Sequence, residues 1–237
     1  MQLPFFYEED LPKQHVLFTL NEDTSKHCVQ VLRMKVGEQL QLTNGKGLLA
    51  TASITTAHKK NTVVQILNIA ATNPPLQQIL IAISPLKNAT RLEWFLEKAT
   101  EIGVTKIQLI VCSRTEKQHI KFERYKSIVI AAMLQSQQTW MPILEQPIKF
   151  GSIFEYDTST TKLIAHCVSG EQKFLISDIK LTNQSSILIG PEGDFTPLEI
   201  EAALVHQYKP ISLGNTRLRT ETAGVVAATL LKNGILV

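Results

Sequence analysis

Hydrophobic and polar positions follow two different rhythms along this chain. From residue 14 to 72 the apolar positions come in short, alternating runs. Val16-Leu17-Phe18 predicts a strand, and Gln39 to Thr43 alternates polar and apolar side chains. Leu48 to Thr56 and Thr62 to Ile69 are rich in the Thr, Val and Ile that half-buried pleated strands favour. Asn44-Gly45-Lys46-Gly47 lies between two of these runs and supplies residues that tolerate positive φ in a tight hairpin. One helix is expected at about Asp23 to Met34, with Cys28, Val31 and Leu32 on one face. Thr72-Asn73-Pro74-Pro75 closes the segment, because proline stops both helices and central strands. The boundary placed there gives a small β unit of residues 1–72 and a second domain of residues 73–237.

The second rhythm alternates strand with helix. Ile79 to Ile83, Ile107 to Val111, Leu163 to Val168, Ile187 to Ile189 and Ile211 to Leu213 are nearly all apolar, as strands buried on both faces of a parallel sheet must be. Leu92, Phe95, Leu96, Ala99 and Ile102 recur at helical spacing before a stop at Gly103. Phe122, Tyr125, Val129, Ala132 and Met133 form a second helical stripe. A third helix starts at a capping box, with Thr196 as N-cap, Pro197 at N1 and Glu199 at N3, and a hydrophobic staple between Phe195 and Ile200. The last helix, Thr222 to Lys232, is apolar nearly all round, so it should be buried in a core or against a partner subunit. The predicted class is α/β, with a mostly parallel sheet flanked by helices.

Composition narrows this little. A hydrophobic fraction of 44% and a charged fraction of 19% are ordinary for a globular chain. No apolar run approaches a membrane span, and the acidic start, Glu8-Glu9-Asp10, does not look like a signal peptide, so an intracellular, cytoplasmic protein is expected. Cys28, Cys112 and Cys167 lack metal or disulfide spacing and are expected to be small buried hydrophobes. Net charge is only +3, yet nine Lys or Arg stand against five Glu between Lys87 and Lys126. A local excess of this kind suits a polyanion but also suits a solvated helix face.

Candidate chemistry concentrates at two strand ends, where ligands of open α/β sheets bind. One is Ile189-Gly190-Pro191-Glu192-Gly193-Asp194-Phe195 and the other runs from Leu213-Gly214-Asn215 through Thr216-Arg217-Leu218-Arg219-Thr220-Glu221 into the last helix. Taken singly, each also reads as a plain turn, and Arg219 with Glu221 as a structural ion pair. Phosphate-loop, dinucleotide-fold and nucleophile-elbow patterns are absent, and the six histidines are dispersed without metal-ligand spacing, so no metal is expected.

Together the two loops resemble the RsmE family, the 16S ribosomal RNA uridine N3-methyltransferases of the SPOUT class. The likeness continues through Glu97-Lys98-Ala99-Thr100-Glu101-Ile102-Gly103-Val104, Ser113-Arg114-Thr115-Glu116 and, in the first unit, Val31-Leu32-Arg33 and the Asn44 to Gly47 turn. It departs at Leu3-Pro4-Phe5-Phe6-Tyr7, where arginines are common in the family, at Gln135 to Gln138, and at Asp194, where glycine is commoner. The resemblance implies a PUA-like RNA-binding barrel followed by a trefoil-knot domain that binds S-adenosylmethionine, and a homodimer acting on 16S ribosomal RNA or the small subunit. It implies cofactor contacts from Leu188, Ile189, Gly190, Pro191, Glu192, Gly193, Leu213, Gly214, Asn215, Leu218 and Arg219. Arg219 would stabilise charge on the uracil, with Glu221 orienting it or the knot loop, and the N3 proton would leave to water or to Glu192. Arg33, Lys35, Arg91, Lys98 and Arg114 would contact RNA phosphates. A SPOUT ribose 2′-O-methyltransferase, a non-catalytic RNA-binding dimer and an enzyme acting on a small phosphorylated ligand are the alternatives.

Overall fold

The computed structural model describes residues 3–116, 120–168 and 172–234; Lys117 and His119, counted above, lie outside them. The chain forms two compact units, Met1–Pro74 with Met133–Met141, and Pro75–Ala132 with Pro142–Val237.

The first unit is a five-stranded sheet in the order β1-β3-β4-β5-β2. Its strands are β1 (Phe5–Tyr7), β2 (Leu17–Thr19), β3 (Gln39–Thr43), β4 (Leu48–Thr56) and β5 (Val63–Ala71). The β3–β4 turn is the expected one, with Gly45 and Gly47 at φ 66° and 87°. Irregularities in the β4–β5 pairing, between Thr51 and Ala52 and between Ile54 and Thr56, bend the sheet around its core of Leu40, Leu42, Ala50, Ala52, Ile54, Val64 and Ile66. The expected helix is shorter and less regular than its apolar stripe suggests. Helix α1 (Glu22–Lys26), capped by Asn21, gives way to a π-helical turn over His27–Val31. That widened turn rotates the stripe, so Cys28 is buried while Val31 and Leu32 face solvent.

The elements that follow are β6 (Gln78–Ile83), α2 (Ala89–Ile102), β7 (Lys106–Val111), α3 (Phe122–Gln135, its last three residues counted with the first unit), β8 (Ile143–Lys149), α4 (Ile153–Tyr156), β9 (Thr161–Ala165), β10 (Phe174–Leu175), β11 (Gln184–Ile189), α5 (Pro197–Val205), β12 (Lys209–Ser212) and α6 (Thr220–Asn233). The seven strands run β10-β12-β9-β11-β6-β7-β8, all parallel. The five apolar runs form the interior of this sheet. The two strands that pattern reading missed, β8 and β10, lie at the edges, where one face or one side is free and polar residues or Pro147 are tolerated.

Strand order places the site. Leu163 in β9 pairs with Ile187 of β11 on one side and Lys209 of β12 on the other. After β12 the chain doubles back across β9 so that α6 packs on β6 and β11, as the expected trefoil knot requires. A buried polar network fixes this order from within. Asp157 accepts hydrogen bonds from Ser186 of β11 and, at 2.7 Å, from the Tyr208 hydroxyl just before β12. Burial and the adjacent carboxylate both push the Tyr208 phenol far above its ordinary pKa, so it serves as a donor throughout the accessible range.

Helix α6 reaches the sheet only because Gly224 lets it approach α2. A Cβ on Gly224 would stand 2.6 Å from the Phe95 ring and 3.1 Å from Ile83, both fully buried. Alanine at position 224 gains about 1 kcal/mol of helix propensity, but overpacking against a fixed ring costs about 1–3 kcal/mol. Gly224→Ala should therefore lower the urea midpoint, whereas Gly151→Ala, with open space around its Cβ, should not.

Candidate active site

Three neighbouring strands, β12, β9 and β11, deliver their carboxyl ends to one groove. Two adjoining cavities lie there, of about 350 and 230 Å³. They share Ala165, Cys167, Arg217, Leu218 and Ala223 as walls. The larger continues along Leu213, Gly214 and Asn215, the smaller along Ile189 to Glu192 and Arg219. Both glycine-bearing loops recognised in the sequence therefore meet at one place. Gly214 has φ 133°, a conformation that side-chain-bearing residues rarely adopt, with no neighbour within 4 Å of its missing Cβ.

Four side chains brace the loop between β11 and α5. The Glu199 carboxylate closes the capping box with Thr196 and also accepts the Ser113 amide at 2.7 Å and its hydroxyl at 3.1 Å. Arg114 donates one guanidinium nitrogen to the carbonyls of Gly193 and Phe195, at 2.7 and 3.3 Å. Glu192 accepts the Lys87 amide at 3.0 Å, beyond the end of β6. Asp194 stands at φ 63° and accepts the amides of Phe195 and Cys167, at 2.8 and 2.7 Å.

Several expected site residues sit elsewhere than imagined. Leu188 is fully buried in the core with Ile164 and Phe195 and lines neither cavity. Gly193 faces Arg114. Helix α6 begins at Thr220, two residues earlier than its apolar stripe, with Arg219 as an N-cap that makes no side-chain cap bond. Residues two apart at a helix start point in different directions, so Glu221 turns away from Arg219. It is buried and lies 3.6 Å from Arg91 on α2, which replaces the expected Arg219–Glu221 pair. Lys98 bridges Glu97 and Glu101 within its own helix, at 2.7 and 3.0 Å. Arg33 and Lys35 are exposed in the first unit.

The third wall carries no signal in the sequence. The apolar run Leu163 to Val168 predicts one strand, but β9 ends at Ala165, and buried His166 and exposed Cys167 line the groove with Lys173 and Arg217. In its exposure Cys167 differs from buried Cys28 and Cys112. No glycine marks this exit within the described residues, so composition carried no signal.

A parallel α/β sheet with a groove over adjoining strand ends and cationic side chains at its rim belongs with enzymes that bind a nucleotide-like ligand. Residues 72–232 match the model of the RNA methyltransferase domain, and residues 20–67 that of the RNA methyltransferase PUA domain. This chain belongs to that RNA methyltransferase family. It is 30% identical to the ribosomal RNA small subunit methyltransferase E of Synechocystis over 91% of its own length and 73% of the relative's. A Porphyromonas gingivalis structure described as a "probable rRNA-methyltransferase" superposes with TM-score 0.89 at 38% identity, covering 97% of each chain. The ribosomal RNA small subunit methyltransferase E of Neisseria gonorrhoeae, solved bound to S-adenosyl methionine, superposes with TM-score 0.87 at 26% identity over 98% of this chain and 97% of that one.

The bracing has a pH signature. Burial alone would raise the Glu199 pKa, but hydrogen bonds from Thr196 and Ser113 outweigh it and hold the carboxyl below its usual 4.5. A depressed folded-state pKa gives stability that is complete above the unfolded value and is lost as pH falls through the folded one. Unfolding free energy should therefore drop below about pH 4.5 with a steeper slope in the wild type than in Glu199→Gln. Urea titrations between pH 3 and 6, roughly the carboxylate range, measure that difference.

Proposed function

We propose that this protein transfers a methyl group from S-adenosylmethionine to N3 of a uridine in the 16S ribosomal RNA of the small subunit. The observation that carries the reading is the convergence of three strand ends on one groove with two glycine-bearing loops at its walls. The groove fits the cofactor. Its adjoining cavities, about 350 and 230 Å³, together have the scale of a small-molecule site, and Gly214 leaves the backbone open to close approach. S-adenosylmethionine supplies an already activated methyl group on its sulfonium.

The chain's own residues then bind, orient and stabilise charge. Backbone groups of Ile189 to Glu192, Leu213 to Asn215 and Leu218 to Arg219 hold the cofactor, with the Leu213 and Leu218 side chains as apolar walls. Leu188 and Gly193 support the loop from its core side and its Arg114 side. Uridine N3 carries a proton at neutral pH, so methylation requires negative charge to develop on the uracil ring. Arg219 is exposed and lines the smaller cavity, and its guanidinium would stabilise that charge. Glu221 acts through α6, anchoring its first turn to Arg91. The proton leaves to water or to Glu192.

RNA phosphates would be met by Arg33 and Lys35 of the PUA unit, and by Arg91, Lys98 and Arg114 where they are not already engaged. A homodimer is part of the proposal. Gly224, Ala227, Ala228 and Leu231 of α6 are buried, but Val225, Val226 and Leu230 are only partly covered. No helix of the described residues is long and apolar enough to cross a membrane; the cytoplasmic location in the proposal follows from the ribosomal RNA substrate.

Arg219→Ala should lower single-turnover methylation by about 10²-fold or more, the scale of losing one donor to a developing oxyanion. Binding of S-adenosylhomocysteine and of RNA should change little; loss of RNA affinity in step with rate would make Arg219 a phosphate contact. Gly214→Val should abolish S-adenosylhomocysteine binding in calorimetry while the circular dichroism melt is retained. Light scattering at micromolar protein should give twice the 26.5 kDa chain mass.

A further inference from the structure

Cys167 and Asp194 sit on different strand exits, yet one carboxylate joins them. Cys167 follows β9 and forms a wall of both cavities, so the placement of its backbone sets the shape of the groove. No ladder bond holds it there, because β9 leaves the sheet at Ala165. What holds it is Asp194 on the neighbouring exit, whose Oδ2 accepts the Cys167 amide at 2.7 Å. Its Oδ1 accepts the Phe195 amide at 2.8 Å, and its own amide donates to the Pro191 carbonyl at 2.9 Å. These bonds require φ 63°, a left-handed backbone that costs a side-chain-bearing residue energy and that Asp and Asn tolerate best. A residue in an unfavourable conformation, with two hydrogen bonds inside its own loop and a third that crosses to the neighbouring exit, is positioned for more than turn formation.

We propose that Asp194 is a positioning residue for the cofactor site, a latch that holds the β9 exit at Cys167 against the β11 loop and so keeps the groove in its binding shape. The proposal rests on the reading of this groove as the S-adenosylmethionine site. The latch acts through geometry. Asp194 also lines the smaller cavity, however, so an alternative role would be to attract the positive sulfonium directly.

Two substitutions separate these roles. Asp194→Asn keeps a residue suited to the left-handed region but has one acceptor oxygen, which can serve the Cys167 amide or the Phe195 amide and not both. Asp194→Gly removes both bonds and relieves the backbone. Neither change should lower the melting temperature much. Asp194→Gly should weaken S-adenosylhomocysteine binding by about tenfold or more, the worth of one hydrogen bond to a charged group. It should weaken by the same factor an analogue that carries an ammonium in place of the sulfonium. Hydrogen exchange of the Cys167 amide should accelerate in Asp194→Gly without any ligand present, and in Asp194→Asn affinity for S-adenosylhomocysteine should fall only if that exchange accelerates. Unchanged Cys167 exchange in Asp194→Gly, or unchanged affinity of that variant for the neutral ligand, overturns the latch. A loss confined to the ammonium analogue assigns Asp194 to charge recognition and also overturns it. If the wild type itself fails to bind S-adenosylhomocysteine, the cofactor reading falls, and the latch with it as a cofactor device. The exchange data would then still report whether the Asp194–Cys167 bond orders the exit.

Discussion

The adjacency of β12, β9 and β11 in one parallel sheet is the constraint on which the site depends. Parallel ladders put all carboxyl ends on the same edge, so neighbouring strands necessarily deliver their exit loops to a shared place. Most of β11 and the centre of β9 are buried, and the side chains within the ladders offer little chemistry. Binding groups must come from the residues just beyond each ladder, where the backbone is freed from its neighbours. The Asp157 network matters for that reason. It ties Ser186 in β11 to Tyr208 at the entrance of β12, on either side of β9, with hydrogen bonds closed off from water.

A groove built from loops needs those loops held, and polar side chains from the surrounding structure do it. Glu199, Arg114, Glu192 and Asp194 each reach from one strand exit or helix start to the backbone of another. Charged partners on backbone amides and carbonyls make stronger bonds than neutral ones, and they leave the backbone facing the groove free to approach a ligand. Arg114, for which the family resemblance implies a phosphate contact, gives one guanidinium nitrogen to this bracing while its side chain stays exposed. Arg91 lies 3.6 Å from Glu221 in the first turn of α6 and is likewise partly exposed.

Much of this architecture was legible because burial on both faces writes a plain signal. The apolar runs at residues 79–83, 107–111 and 187–189 fall within interior strands, the run at 211–213 overruns its strand by one residue, and the Thr196–Glu199 capping box marks its helix to the residue. Glycine made two of the three groove walls visible. The third, at His166 and Cys167, carries no special residue type, and an apolar run cannot report where its ladder stops. Side-chain pairing was less readable still. Glu221 chose Arg91 over Arg219 because helix geometry, not sequence proximity, decides which groups face each other. The left-handed backbone at Asp194 was equally hidden, since only the three-dimensional loop shows what the aspartate gains there. The return of Met133 to Met141 to the first unit is set by tertiary packing that no linker composition announces.

The chemistry proposed for the groove has a direct readout on its substrate. Methylation at uracil N3 removes the hydrogen-bond donor used in base pairing, so a modified nucleotide arrests reverse transcription, whereas a ribose 2′-O-methyl leaves the pairing face intact. Primer extension along small-subunit ribosomal RNA from cells with and without this protein therefore tests the central claim most directly. The account predicts a single strong arrest at one uridine that disappears with the protein and returns when it is restored. An unchanged arrest pattern, or a lost modification that proves to lie on a ribose, would contradict it.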